Sequence, residues 1–577
     1  MKEIIKNIKV ARSEKKAELV LKNANIVNVF INALEKADVA IEDGIIVGIG
    51  EYEGETEIDL EGKYLCPGFI DGHIHIESSF LCGANFEKAV LPHGTTAIIT
   101  DPHEIANVAG INGIKFMMET TENLNLSVYF TLPSCVPSTD LDESGAILEA
   151  ADLYSLYSSP RVVGLSEVMN VYGTIHGDKK VLQKIVDCKV NGKVVDGHAP
   201  DVKGKDLNAY IVAGVQSDHE CTDIQEAMEK LKRGQYIMIR EGTAAHNLKA
   251  LLPLFEEPYC QRCMLVTDDK HPDDLLRLGH IDDIIRKAIS FGVDPLIAIK
   301  MATLVPSQYF KLEKMGAVAP GFKADLLVLS NLDSLRIEKV YKSGKLIVEN
   351  GKVIQSSKLS IDSSDYEEVL HSFHLNEITI EDLQLHQQGE KERVICLMPN
   401  ELLTTEKIIP FQKQEGMAPG VNTKEGIVKL AVFERHKNTN HAGLGFLGNY
   451  PLKKGAVASS IAHDSHNLIV AGTRDEDMVL AANTVIQNQG GLAFVVDGKV
   501  LGEVELPIAG LMSFKDAETL SKKMNQMKQI LSEYGINSDI DPFMTLAFVS
   551  LPVIPELRLN TFGLIDVEKQ EIIPSVF

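Results

Sequence analysis

Two histidines one residue apart close the run Pro67-Gly68-Phe69-Ile70-Asp71-Gly72-His73-Ile74-His75. In an extended chain alternate side chains leave on the same side, so both imidazoles can reach one metal ion. A lone H-x-H pair also occurs by coincidence, and the rest of the chain has to decide between the two readings. Four more residues stand where an apolar run stops: Glu167 after Val162–Ser166, His198 after Lys193–Gly197, His219 after Ile211–Asp218, and Asp268 after Met264–Thr267. Each alone reads as a surface polar group at a strand end. Together, in this order, they read as carboxylates and imidazoles gathered at one mouth, the donor set of a divalent metal centre.

The elements that must position them follow from the apolar pattern. From Pro67 onward, runs such as Ala97–Thr100, Val128–Thr131, Val162–Leu165 and Met264–Thr267 alternate with helix-like stretches such as Asn112–Glu122 and Ile224–Arg233. Strands alternating with helices imply a parallel sheet covered on its outer face, and strand ends then gather at one side. Before this, Ala17–Leu65 holds short strands with turn signals at Glu42-Asp43-Gly44 and Glu53-Gly54. Short strands return after the helical stretch Asp294–Tyr309, at Ala324–Leu329 and Val340–Ile347, where they could pair with the N-terminal ones. The expected fold class is α/β: a (β/α)8 barrel over 67–313, a small β-domain built from 1–66 and 314–355, and a C-terminal α+β domain over 370–577. Ser356–Glu368, rich in serine and charge, reads as the linker, and helices are expected at Asp475–Gln487 and Ala517–Tyr534.

The run P-G-x-I-D-x-H-x-H, followed by strand-end His, His and Asp, resembles the amidohydrolase superfamily from about Ala17 to Gly351. Most binuclear members carry a carboxylated lysine after the fourth strand, whereas this chain has Glu167 in Leu165-Ser166-Glu167-Val168, which points to a subgroup. That subgroup resembles adenine deaminase. The matching segments are His73–Ser79, Thr100–Val108, Gly164–Glu167, Asp196–Pro200, Asp268–Leu275, Ser465–Gly472 and Pro552–Arg558.

The resemblance implies hydrolysis of adenine to hypoxanthine and ammonia, in purine salvage, with two divalent ions. Manganese or iron is favoured, and zinc is also compatible. A bound ion acidifies its water enough to supply hydroxide near neutrality, which ordinary water cannot do. His73 and His75 are assigned to one ion and His198 and His219 to the other, with Glu167 bridging. Asp268 is expected to touch the activated water and carry its proton. Asp269 is the competing residue; successive strand residues face opposite ways, and the family pattern favours Asp268. Glu77, His103 and Glu104 are expected either to bind the purine edge or to support the metal ligands.

A net charge of −24 argues against a nucleic-acid partner and fits a small neutral or cationic substrate. Apolar runs are too short to span a bilayer, and the N-terminus has no signal-peptide h-region, so a cytoplasmic location is expected. Eight scattered cysteines agree, and the isolated pair Cys260 and Cys263 reads as coincidence. A homo-oligomer is compatible with the sequence. His246 is expected to face the pocket or cap a helix. His436, His441, His463 and His466 read first as surface histidines, with a lid or further metal site as the alternative. Two other readings use the same residues: a cyclic amide hydrolase of the dihydroorotase or hydantoinase kind, and a scaffold that kept the fold without the chemistry.

Overall fold

A computed structural model of the 577-residue chain describes all residues except 244, 358–365, 387, 399–402 and 537–539. The proposed linker therefore lies largely outside the described residues; its last residues, Glu367 and Glu368, open the short helix Glu367–Leu370.

Eight strands carry the candidate residues: β1 (Phe69–Ile74), β2 (Thr95–Thr100), β3 (Ser127–Leu132), β4 (Val162–Val168), β5 (Val194–Gly197), β6 (Ser217–Asp218), β7 (Tyr236–Arg240) and β8 (Cys263–Val266). β1, β2, β4, β5 and β8 are buried along their whole length, as a parallel strand must be when side chains fill one face and helices the other. β1 to β5 pair in sequence, all parallel, and β6 to β8 do likewise. Two further links close the ring. The Gln216 amide donates to the Val195 carbonyl at 2.9 Å, joining β5 to the approach to β6. The Asp268 amide donates to the His73 carbonyl at 3.0 Å, and the His75 amide to the Asp268 carbonyl at 3.3 Å, joining β8 to β1. Ile70, Ala97, Ile99, Val163, Val194, Met238, Met264 and Val266 fill the interior. The C-terminal strand ends therefore converge on one mouth.

Two expected elements differ. Ile211–Ala213 belongs to the helix Gly204–Ala213, and the strand is only Ser217–Asp218. Leu207 and Tyr210, three apart, are buried while Val212 is 82% exposed, so the run follows helical period rather than strand alternation. Gly214, at φ 129°, ends that helix. The helix expected at Asn112–Glu122 begins earlier, at His103, kinks at Gly110 and ends at Thr120. That extension sets His103 and Glu104 in its first turn.

A nine-stranded sheet joins both flanks of the ring. Tyr64–Pro67 pairs antiparallel with Leu326–Asn331 and runs almost directly into β1, so this sheet anchors the strand that carries His73. Beyond it, an eight-stranded mixed sheet packs with helices Asp475–Gln487 and Ala517–Glu533. All eight cysteines are buried and free. Among the described residues no helix is long and apolar enough to cross a membrane.

At Gly197, just before His198, an added Cβ would meet the Ser217 carbonyl oxygen at 2.2 Å. Backbone cannot yield as a side-chain tip does, so Gly197→Ala must push β5 away from β6. A loss of about 1–3 kcal/mol in denaturant unfolding is expected, whereas Gly192→Ala, with nothing within 4 Å but a φ of +71°, meets only backbone strain.

Candidate functional site

Glu167, on β4 and only 3% exposed, stands at the centre of the mouth. Its Oε1 lies 3.4 Å from His75 Nε2 and 3.9 Å from His73 Nε2. Its Oε2 lies 2.8 Å from His198 Nδ1 and 3.1 Å from His219 Nε2. One carboxylate thus turns one oxygen to the β1 pair and the other to the histidines after β5 and β6. Asp268 Oδ1 is 3.3 Å from His75 Nε2. All six candidate residues, His73, His75, Glu167, His198, His219 and Asp268, come together from five strand ends.

Local geometry explains the aim of each ring. His75 Nδ1 donates to the Asp101 carbonyl at 3.1 Å, which leaves Nε2 free toward Glu167. Asp71 Oδ1 accepts from the His73 and Thr267 amides, each at 3.2 Å, and so ties β1 to the end of β8. Behind His219, the wholly buried Lys230 ammonium reaches Asp218 Oδ2 at 2.9 Å, Glu226 Oε1 at 2.7 Å and the Ala199 carbonyl at 2.7 Å. Asp268 sits at φ 59° and turns its carboxylate to Arg240, Nη1 to Oδ2 2.7 Å. Asp269 turns the other way, accepting from the Ser78 hydroxyl.

The donor set fits divalent ions. The six residues are buried or nearly so, and His73 Nε2 is a buried nitrogen with no hydrogen-bond partner. Burial, with His219 and His75 alongside, holds the His73 imidazole well below its ordinary range, hence neutral and able to ligate. Burial opposes charge on Glu167 too, yet His219, His198 and His75 hold it well below the usual carboxylate range. His75 and His219 are desolvated, but their carboxylate neighbours push both well up. The cluster thus calls for positive charge, which protons supply on the bare protein and which a cation supplies when bound.

His103 Nδ1 bonds Asp101 Oδ2 at 2.7 Å and comes within 3.6 Å of Glu167 Oε1, so it borders the same cluster. Glu77 is buried, takes the Ile105 amide at 3.2 Å on Oε1, and has Oε2 unpartnered. Glu104 faces His103 and two histidines of the C-terminal domain.

Some expectations require correction. His436, His463 and His466 are buried, not surface residues: His463 and His466 turn to Glu104 of the barrel, and His436 Nε2 donates to the Ser465 carbonyl at 2.7 Å; His441 alone of the four is exposed. His246 neither joins the site nor caps a helix: its half-exposed ring lies 3.2 Å from Glu241. Reading the sequence missed Glu220, whose Oε1 is 3.3 Å from His219 Nε2, and Arg240, which bonds both Glu220 and Asp268. The signal for Arg240 was present, since it ends the apolar run Tyr236–Ile239.

Comparison with known proteins gives two profile matches: the amidohydrolase family at residues 64–347 and the adenine deaminase C-terminal domain at residues 401–571. "Adenine deaminase 2" of Carboxydothermus hydrogenoformans is 45% identical over 574 residues, covering 100% of both chains. The adenine deaminase of Kosmotoga olearia is 46% identical over 568 residues, 98% of this chain and 97% of that one. This chain belongs to the adenine deaminase family. The amidohydrolase family is metal-dependent, in keeping with the buried His, Asp and Glu clusters at the mouth.

Replacing Glu167 removes the group common to both histidine pairs. Glu167→Ala should lose most bound divalent metal on dialysis, while His246→Ala keeps the wild-type content; elemental analysis of the dialysed proteins decides it.

Proposed function

We propose that the chain hydrolyses adenine to hypoxanthine and ammonia in the mouth of the barrel. The observation that carries this reading is Glu167 between two histidine pairs with Asp268 beside it, in a chain of adenine deaminase ancestry. His73 and His75 would hold one ion, His198 and His219 the second, and Glu167 both, with Asp268 against the first. Manganese and ferrous iron suit these nitrogen and oxygen donors; zinc is also compatible, and with no cysteine in the set nothing demands it. When bound, the ions supply a water acidified enough to attack at neutral pH.

The chain's own residues do the rest. Asp268 takes the proton released as water oxygen bonds to the purine carbon bearing the amino group, and gives it to that amino group, which leaves as ammonia. Arg240, 2.7 Å from Asp268 Oδ2, orients the carboxylate and favours its ionised, proton-accepting form. Burial opposes that charge, but Arg240 and His75 hold Asp268 well below the usual range. Glu77, just after β1, and His103 and Glu104, just after β2, would meet the purine ring nitrogens or hold the residues that do.

The domain division at 1–66 with 314–355, 67–313 and 370–577 belongs to the same reading, as do a cytoplasmic location and a free small-molecule substrate without nucleic acid. A homo-oligomer remains compatible with it.

Purified protein stripped of metal and reconstituted in parallel with manganese, ferrous iron and zinc should release hypoxanthine and ammonia from adenine in equal amounts. Ring opening of a cyclic amide without adenine turnover would replace this reading with a cyclic amide hydrolase. Within the working enzyme, Asp268→Asn should lower kcat by about 10²–10⁴-fold, and Asp269→Asn far less; equal losses would move the proton-carrying role.

A further inference from the structure

Glu104 lies in the barrel, yet the C-terminal domain surrounds its carboxylate. His463 Nδ1 is 2.6 Å from Glu104 Oε1, and His466 Nε2 bonds Oε2. Among the described residues the barrel brings His103, Nε2 to Oε1 3.4 Å. Both C-terminal histidines sit on the loop joining strands Ala456–Ser459 and Leu468–Gly472, which pair antiparallel. All three side chains are buried.

Several hydrogen bonds and one ring contact fix that loop. The His466 amide donates to the Ala462 carbonyl at 2.7 Å, and the Ala462 amide donates to His466 Nδ1 at 3.3 Å. With Nδ1 accepting, the ring proton of neutral His466 sits on Nε2 and is donated to Glu104. The buried Arg435 bonds the His466 carbonyl through Nε and the Ala509 carbonyl at 2.8 Å through Nη2. The His463 amide donates to the Ala547 carbonyl at 2.8 Å, and its ring stacks on Phe548 with centroids 4.4 Å apart. A buried carboxylate without partners would take up a proton or turn toward water. Here two imidazoles from another domain fix it; Oε1 faces both His463 and His103, and Oε2, which bonds His466, keeps a second lone pair for a further donor.

We propose that His463 and His466 are positioning residues: they set Glu104 in the orientation in which it meets the purine, so the C-terminal domain completes the barrel's site. This rests on the adenine reading above and on Glu104 facing substrate. It assigns the C-terminal domain a part in the reaction, and it predicts that the two histidines act only through Glu104.

A double-mutant cycle on the full-length, metal-loaded enzyme tests it. His466→Leu should lower kcat/KM by about 10–100-fold with the melting temperature and the metal content retained, and His466→Gln, which keeps an N–H donor, should recover part of the loss. In a Glu104→Gln background His466→Leu should cost no more than about twofold, because a pair acting as one unit is non-additive. Full additivity would overturn the proposal, and so would a third ion per chain lost in His466→Leu, since Glu104, His463 and His466 would then be a metal site. Failure of the wild type to deaminate adenine would remove the parent reading and this one together; a wild type that works beside an unimpaired His466→Leu would remove this one alone.

Discussion

A carboxylate buried between imidazoles is costly unless its charge is balanced, and Glu167 is such a group. Its two oxygens divide the surrounding histidines into pairs, one supplied by β1 and one by the ends of β5 and β6. Because those strands are not sequence neighbours, only a closed ring brings them to opposite sides of β4's carboxylate. The barrel, its closure between β8 and β1, and the ties from Asp71 and Lys230 all serve to hold this one group in place.

Closure at β8 also sets the chemistry. Asp268 takes part in the link to His73 and His75 through its backbone while its side chain turns to His75 and Arg240. The positive φ of 59° lets one residue do both, and it sends the carboxylate of Asp269 to Ser78 instead. Two adjacent aspartates of identical chemistry thus acquire different surroundings. On the proposed reading, one carries the proton and the other holds Ser78.

Most of the barrel strands were legible because they are short apolar runs ended by a polar residue, and buried parallel strands leave that mark. His73, His75, Glu167, His198 and Asp268 could be picked out for this reason, whereas His219 was reached through a run whose first part is helix and follows a strand of only Ser217–Asp218. Ile211–Ala213 misled because three consecutive apolar residues are too few to separate strand from helix, and the buried positions Leu207 and Tyr210 lay upstream of the run. Glu220 and Arg240 were not singled out, although the end of the apolar run Tyr236–Ile239 marks Arg240. His463 and His466 could not have been found in this way: their partner Glu104 is about 360 residues distant in the chain, and only the packing of two domains brings them together.

The central claim is that Glu167 joins two ions. Crystals of the manganese-loaded protein, measured for anomalous scattering, test it directly. The account predicts two peaks, one beside Glu167 Oε1 with His73 and His75 and one beside Oε2 with His198 and His219. A single peak, or two peaks neither of which touches Glu167, would contradict it.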